Sequence, residues 1–519
     1  MAAAESSEMP VKQSPNDDKE IAPFAEIAPE EPHSIFTTSE KRWISYAASF
    51  GAMFSTLSSY IYFPALAPMA VDLNVSIALI NLTVTSYLII AGIAPAFMGD
   101  IADQGGRRPA YILMFTLVVA SNIGLALQNS YPALLILRMV QSAGASGSYG
   151  AAYGIVADIT TVDERGSYVG SMLVFTNAAP SFGPVIAGLL TENLSWRWIF
   201  WFLVILTGTY LLIIITLLPE TQRRIVGNGS LKAHRIHRSL FDSLTRDRKI
   251  DSVGQVQGLQ DGKRRYHIPN PFKCIAMLFS KGNFSVILIG SITYAVKMTL
   301  QSSLSAQCID VYKLNYLEAG LIYLPSGLGG AIASYTTGKL LDKNIQRVSK
   351  RQGRDSRYRR GDDISDFPIE ETRLAGIYML VALSSVTTAG YGVSLMQESH
   401  IAVPLVMQFI SGATTSSIFT VSTNFQVNYH VSQFLIHRLQ ICGTLLTDLN
   451  PRASATVQAS YNLVRCIGAG AAIAAQQPLT NATSLGWSFG IFSLIMLLPA
   501  PLALLLKKKG VGWRVSTKT

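Results

Sequence analysis

Three cations stand inside runs that otherwise carry no charge: Arg138 in "LLILRMVQSAG", Lys297 in "SITYAVKMTLQSS" and Arg465 in "ASYNLVRCIGAG". A cation in the hydrocarbon core of a bilayer costs roughly 2.5–3.5 kcal/mol on insertion scales, so such residues face water, a partner or a bundle interior. There they can bind an anion or help to move charge. Their neighbours at helical spacing are polar and neutral: Gln141 after Arg138, Thr293 and Gln301 either side of Lys297, and Asn462 before Arg465. With Tyr149 and Asn177, these residues are expected to line a central cavity for a solute and protons.

The carboxylates are placed differently. Asp72, Asp310 and Glu318 fall at outer ends of apolar runs and Asp158 at an inner end, with no Asp or Glu deep in any run. Proton exchange would then use Lys297, an amine in a desolvated position, or Asp158 with Arg165. A cavity with up to three cations repels a polycation, which predicts anionic or neutral amphiphiles as solutes, such as weak organic acids or uncharged drugs.

The elements that must hold these residues are apolar helices. Only 14% of the 519 residues are charged, against roughly 25% in soluble domains. A spanning helix needs about 20 mostly apolar residues, because lipid offers the backbone no hydrogen-bond partner. Twelve segments meet that criterion, near 44–68, 75–98, 110–129, 132–155, 168–190, 199–218, 284–306, 317–338, 374–395, 401–426, 454–476 and 486–506. In the fourth, at about 100° per residue, Arg138, Ser142, Ala145, Tyr149 and Tyr153 share one stripe, with Gly144, Gly147, Gly150 and Gly154 roughly opposite. That predicts a polar cavity face backed by a bare face that a neighbouring helix can approach closely.

Basic residues fix the orientation. "QRRIVGNGSLKAHRIHR", "SKRQGRDSRYRR" and "LKKKGVGWR" lie on one side, while the opposite connections hold almost none, Arg197 and Lys313 excepted. That is the positive-inside pattern, with both termini cytoplasmic. The net charge of +10 is concentrated on the face where anionic lipid attracts it, and its place beside membrane spans argues against nucleic-acid binding. The expected organisation is a disordered cytoplasmic segment 1–40, a six-helix bundle 41–218, a cytoplasmic linker 219–283, a second six-helix bundle 284–506 and a basic tail 507–519. The four cysteines have no metal-ligand spacing and imply neither a zinc site nor a disulfide framework. No nucleophile–base pair or phosphate loop is present, so no enzyme, cofactor or metal is expected.

Repeated halves with a site between them describe a secondary transporter. An internal echo supports the repeat: "GDIAD" (Gly99 to Asp103) follows the second span and "GKLLD" (Gly338 to Asp342) follows the eighth. From the residues alone, "GDIADQGGRR" is either a polar turn with positive-inside arginines or a gate. Gly99, Asp103, Gly106, Arg107 and Arg108 resemble the "GxLaDrxGRR" motif of the major facilitator superfamily, with Gln104 in place of the usual cation. "LLILRMVQSAG" resembles that family's "LxxxRxxqGxg" through Arg138 and Gln141, with Ser142 where Gly is usual. "NAAPSFGPVIAGLL" resembles its antiporter motif through Gly183, Pro184 and Gly188. "WRWIFW", "LPETQRRIVGNGS" and "DLNPRASATVQASYNLVRC" are similar to fungal twelve-span drug:proton antiporters. The resemblance implies an all-α fold of two six-helix halves, a gating role for the loop after the second span and for Gly338 and Asp342, and the proton gradient as driver.

One stretch departs from that pattern. "VNYHVSQFLIHRLQICG", residues 427–443, separates "TNFQ" from "TLLTDLNP". It is either an extra loop or a translated short intron. The resulting expectation is a proton-coupled multidrug exporter working by alternating access, a monomer in the plasma membrane or the vacuolar membrane, with lipid, small solutes and protons as partners. The alternatives are an importer or facilitator of the same fold, and a non-transporting membrane sensor.

Overall fold

The computed structural model describes residues 34–161, 164–231, 233, 235–240, 277–333, 374, 376–419 and 454–516. These form twelve membrane-crossing helices in two halves of six. The first half comprises α1 (Thr38–Tyr60), α2 (Ile77–Gly105), α3 (Arg107–Leu127), α4 (Tyr131–Ile159), α5 (Arg165–Asn193) and α6 (Arg197–Leu217). The second comprises α7 (Lys281–Tyr312), α8 (Tyr316–Leu321, continued by helix at 324–333), α9 (Ile377–Met396), α10 (Ala402–Phe419), α11 (Ser454–Ala482) and α12 (Leu485–Leu497, continued by Pro499–Ser516). Each coincides with one of the twelve apolar segments. Several run a turn further at their ends, where polar residues such as Asp158 and Arg165 extend the helix into the interface.

The helices divide by polarity. Those at α2, α3, α6, α7, α9 and α12 are by length and composition alone apolar enough to cross a membrane. The others carry the polar and small residues, and they can because those groups turn toward protein: Arg138 on α4, Ser326 on α8 and Gln408 on α10 are all buried. Bulky apolar side chains such as Leu212 on α6, Met379 on α9 and Leu494 on α12 stay exposed, as a lipid-facing surface requires.

Local chemistry sets the helix ends. Thr37 and Glu40 form a capping box at the start of α1, and Asn315 with Glu318 forms another at α8. Between α2 and α3 the chain reverses through Gly106 at φ 104°, a conformation that favours glycine. Pro184 within α5 has no N–H to give the carbonyl of Pro180, which weakens that turn.

The halves meet along three seams. Phe63, just after α1, stacks on Tyr323 of α8 with ring planes 5° apart, and Tyr60 Oη donates to Met298 Sδ at 3.5 Å. The outer part of α5 packs on α8, where Tyr316 N–H donates to Glu192 Oε2 at 2.8 Å. α2 and α11 run antiparallel, with Thr85 Oγ1 donating to the Gly470 carbonyl at 2.9 Å. The first two seams join the halves toward the same end of the molecule. On the inner stretches of α4 and α5, Gly150 and Asn177 are exposed.

Candidate functional site

A cavity of about 60 Å³ lies between the halves at the level of mid-α7. Tyr60, Asn177 and Ser181 line it from the first half, and Lys297, Gln301 and Ser326 from the second. Lys297 is the one charged residue in that lining. Gln301 is fixed: its Nε2 donates to Ser326 Oγ at 3.0 Å and to Gln408 Oε1 at 3.4 Å, and Tyr323 Oη donates to its carbonyl at 2.8 Å. The volume holds about two waters, whereas a drug-sized ligand needs roughly 300 Å³ or more.

Arg465 sits on the α2–α11 seam. Its Nε and Nη2 donate to Asn462 Oδ1 at 3.1 and 2.8 Å, while Asn462 Nδ2 donates across the seam to the Ala91 carbonyl at 3.0 Å. Its guanidinium carbon lies 4.7 Å from the Tyr294 ring centre and 5.8 Å from that of Tyr461. Tyr60 and Tyr149, both from the first half, are within electrostatic reach. Tyr149 also approaches Tyr153, with hydroxyls 3.4 Å apart.

Arg138 and Gln141 are placed differently from the expectation that they line the cavity. Arg138 is only 1% exposed and Gln141 fully buried, both inside the first half. Arg138 Nη1 donates to Gln141 Oε1 at 2.5 Å and to the Ser58 carbonyl at 3.2 Å. The guanidinium lies between two rings, 3.9 Å from the centre of Tyr62 and 4.2 Å from that of Tyr87. Gln141 Nε2 continues the chain of bonds to Asn122 Oδ1 at 2.7 Å. Ser142 and Ala145 share this burial, so the upper part of the stripe faces α1 and α2 and only Tyr149 and Tyr153 reach the open side. The glycine face splits as well. Gly144 and Gly147 lie against Met114 and Met98, while Gly150 faces open space.

At the inner end, the residues of the loop after α2 converge. Arg107 Nη1 donates to Asp103 Oδ1 at 2.5 Å and Nε to Asp158 Oδ2 at 2.9 Å, tying α2, α3 and α4 together. Gly154 lets this guanidinium lie flat on α4, since a Cβ there would come within 2.5 Å of Arg107 Cζ. Arg108 donates to the carbonyls of Ile215 and Ile236. Gln104 reaches back to Asp100. Gly99 has open space around it.

Sequence reasoning missed the residue that organises this loop. Glu220 is 0% exposed, and its carboxylate accepts the N–H groups of Arg107 at 2.9 Å and Arg108 at 3.4 Å, the orphan donors that open α3. It also accepts from the N–H groups of Thr221 and Gln222 and lies 3.0 Å from His237 Nδ1. Its one sequence signal is a Pro-Glu-Thr directly after an apolar span. Gly338, Asp342 and residues 427–443 lie outside the described residues, as does the side chain of Arg165.

The antiporter-like motif lies on the outer seam. Gly183 packs on Leu57 and Ile61 of the α1 end. Gly188 faces Gly320: a Cβ on Gly188 would lie 2.5 Å from the Tyr316 carbonyl, and one on Gly320 2.5 Å from the Pro184 carbonyl. The two backbones touch because neither glycine has a side chain.

Comparison with known proteins agrees with this architecture. Residues 48–473 match the family model described as Major Facilitator Superfamily. The chain is 36% identical over 483 residues to MFS-type transporter phiD of a fungal species, covering 93% of this chain and 70% of that one. It is 35% identical over 497 residues to Citrate exporter 1 of Aspergillus niger, covering 94% and 90%. Among solved structures, the peptide transporter POT in complex with sulfate superposes with a TM-score of 0.59 at 13% identity, covering 91% and 95%; this likeness concerns the fold alone.

Proposed function

Because the chain belongs to the major facilitator superfamily and is a membrane transporter of small molecules, we propose that it exports small amphiphiles, drugs and weak organic acids among them, by proton antiport. It works by alternating access as a monomer, in the plasma membrane rather than the vacuolar one. The observation that carries this reading is the polar cavity between the halves, lined from both sides. Export is favoured by the glycine motif at the α5–α8 seam and by the relative named as a citrate exporter. Among the described residues no carboxylate stands in the middle of a span, so proton exchange falls to Lys297 or to Asp158, whose carboxylate is paired with Arg107 at 2.9 Å.

The test is efflux from cells loaded with a labelled weak acid or a fluorescent drug. Overexpression should lower the retained label, and a protonophore should abolish the difference. Retention that rises with overexpression would reverse the direction. An efflux difference untouched by the protonophore would remove the proton from the scheme.

A further inference from the structure

The linker after α6 doubles back onto the inner end of the first half. Glu220 lies 3.0 Å from His237 Nδ1, and the Arg108 guanidinium donates to the carbonyls of both Ile215 and Ile236. Gly106 leaves room for this docking, since a Cβ there would lie 2.5 Å from Glu220 Oε2 and 2.8 Å from His237 Cε1. Ile215 belongs to the last turn of α6, so the backbone at Ile236 sits one guanidinium's width from that turn.

The docked segment faces two ways. His237 and Ser239 turn toward protein, whereas Ile236 and Leu240 are 57% and 58% exposed, with exposed Arg238 between them. The last turn of α6 beside it exposes Ile215 and Leu217, part of the lipid-facing surface. Ile236 and Leu240 continue that apolar surface past the helix end. The far end of the linker repeats the pattern. Phe279, just before α7, is 83% exposed, and Lys281 and Phe284 in the first turn of α7 are exposed as well. α7 packs along the continuation of α12, which brings exposed Lys508 to the same end. Bare apolar side chains beside cations, continuous with a lipid-facing wall, suit the boundary between headgroups and acyl chains. There the apolar groups enter hydrocarbon while the cations meet phosphate.

We infer that both ends of the linker are interfacial anchors seated in the lipid leaflet on their side of the membrane. Ile236, Leu240 and Phe279 enter the acyl boundary, and Arg238 and Lys281 meet anionic headgroups. The first anchor also steadies the loop after α2, because the segment that enters the leaflet is the one held by Glu220 and Arg108. This holds whatever solute is carried.

The full chain in a cysteine-free background tests this in two arms. Bimane on Leu240→Cys or Phe279→Cys, in phosphatidylcholine vesicles with rising phosphatidylglycerol, should emit to the blue of the free dye. Brominated lipid should quench it, and aqueous iodide should have little effect. More phosphatidylglycerol should deepen the lipid quenching, and Arg238→Gln or Lys281→Gln should remove that dependence. Iodide quenching without lipid quenching overturns the anchors in favour of water. Shielding from both quenchers overturns them in favour of a protein cover. Lipid quenching indifferent to phosphatidylglycerol overturns the headgroup contact. In the second arm, a spin label on Gly105→Cys, where a side chain meets nothing within 4 Å, reports on the loop. Ile236→Ser combined with Leu240→Ser should narrow its spectrum to that of a more mobile label. An unchanged spectrum overturns the coupling to the loop. Gel-filtration profiles matching wild type separate these effects from loss of fold.

Discussion

Arg138 of the N-terminal half and Lys297 of the C-terminal half have the same appearance in the sequence, each a lone cation in an apolar helix, yet the fold uses them in opposite ways. Arg138 is packed between two tyrosine rings and hydrogen-bonded to Gln141 and the Ser58 carbonyl, all within its own half. Lys297 lies in the wall of the space shared by both halves. The first cation holds α1, α2 and α4 together, and the second is presented to whatever enters. A charge inside a membrane span is thus a statement about protein surroundings, and those surroundings are either a buried network within one half or the wall of a space between the halves.

The strongest way to break the comparison is to remove the finished network. Arg138→Ala would strand Gln141 Oε1 and the Ser58 carbonyl and leave a void between Tyr62 and Tyr87. A loss on the order of 3–5 kcal/mol is expected, read as a collapse in thermal stability in detergent. Lys297→Gln, in the cavity wall and less deeply buried, should lower the melting temperature less. Equal stability losses in the two variants would erase the distinction.

The next test sharpens the contrast at the seams. Gly188→Val places a side chain against the Tyr316 carbonyl and Gly320. Overpacking of about 1–3 kcal/mol would lower the outer-closed population roughly 5- to 150-fold, measured as faster labelling of outer-facing cysteines. Unchanged labelling would show that the α5–α8 approach is not what closes the outer side.

The smallest effect is expected at the outer surface. Asp72 pairs with Arg197 at 2.7 Å, and that hydrogen bond, helped by the Trp196 Nε1–H, holds its carboxyl below the usual carboxylate range. A lowered folded value means the stabilisation is complete above the unfolded carboxylate value near pH 4 and is lost as pH falls through the folded one. Since Asp72 is 44% exposed, Asp72→Asn should cost no more than about 1 kcal/mol. The difference between variant and wild type should vanish in acid. A difference that persists below the folded value would assign the effect to something other than this ion pair.

Much of the fold was legible because lipid leaves few choices: an apolar run of about 20 residues must be a helix. The placement of individual side chains was less so. A helical stripe says that Arg138, Ser142 and Tyr149 share a face, but whether that face meets a cavity or the helix's own half depends on Tyr62 and Tyr87, which come from other segments. Gly150 shows the converse, grouped by spacing with packing glycines yet open to space. Glu220 was hidden because its role is to satisfy backbone N–H groups of a helix more than a hundred residues earlier, and backbone donors leave no mark in sequence. The meeting of Gly188 with Gly320 likewise joins two halves whose register no local pattern specifies.

Cysteine accessibility puts the comparison of the two cations to its most direct trial. In a background lacking the four native cysteines, Lys297→Cys and Ser142→Cys would be exposed to a water-soluble thiol reagent. Ser142 is fully buried one turn from Arg138, and the exchange there is nearly isosteric. The account predicts rapid modification at position 297, slowed by transported solute, and none at 142. Comparable modification at both positions, or modification at 142 alone, would contradict it.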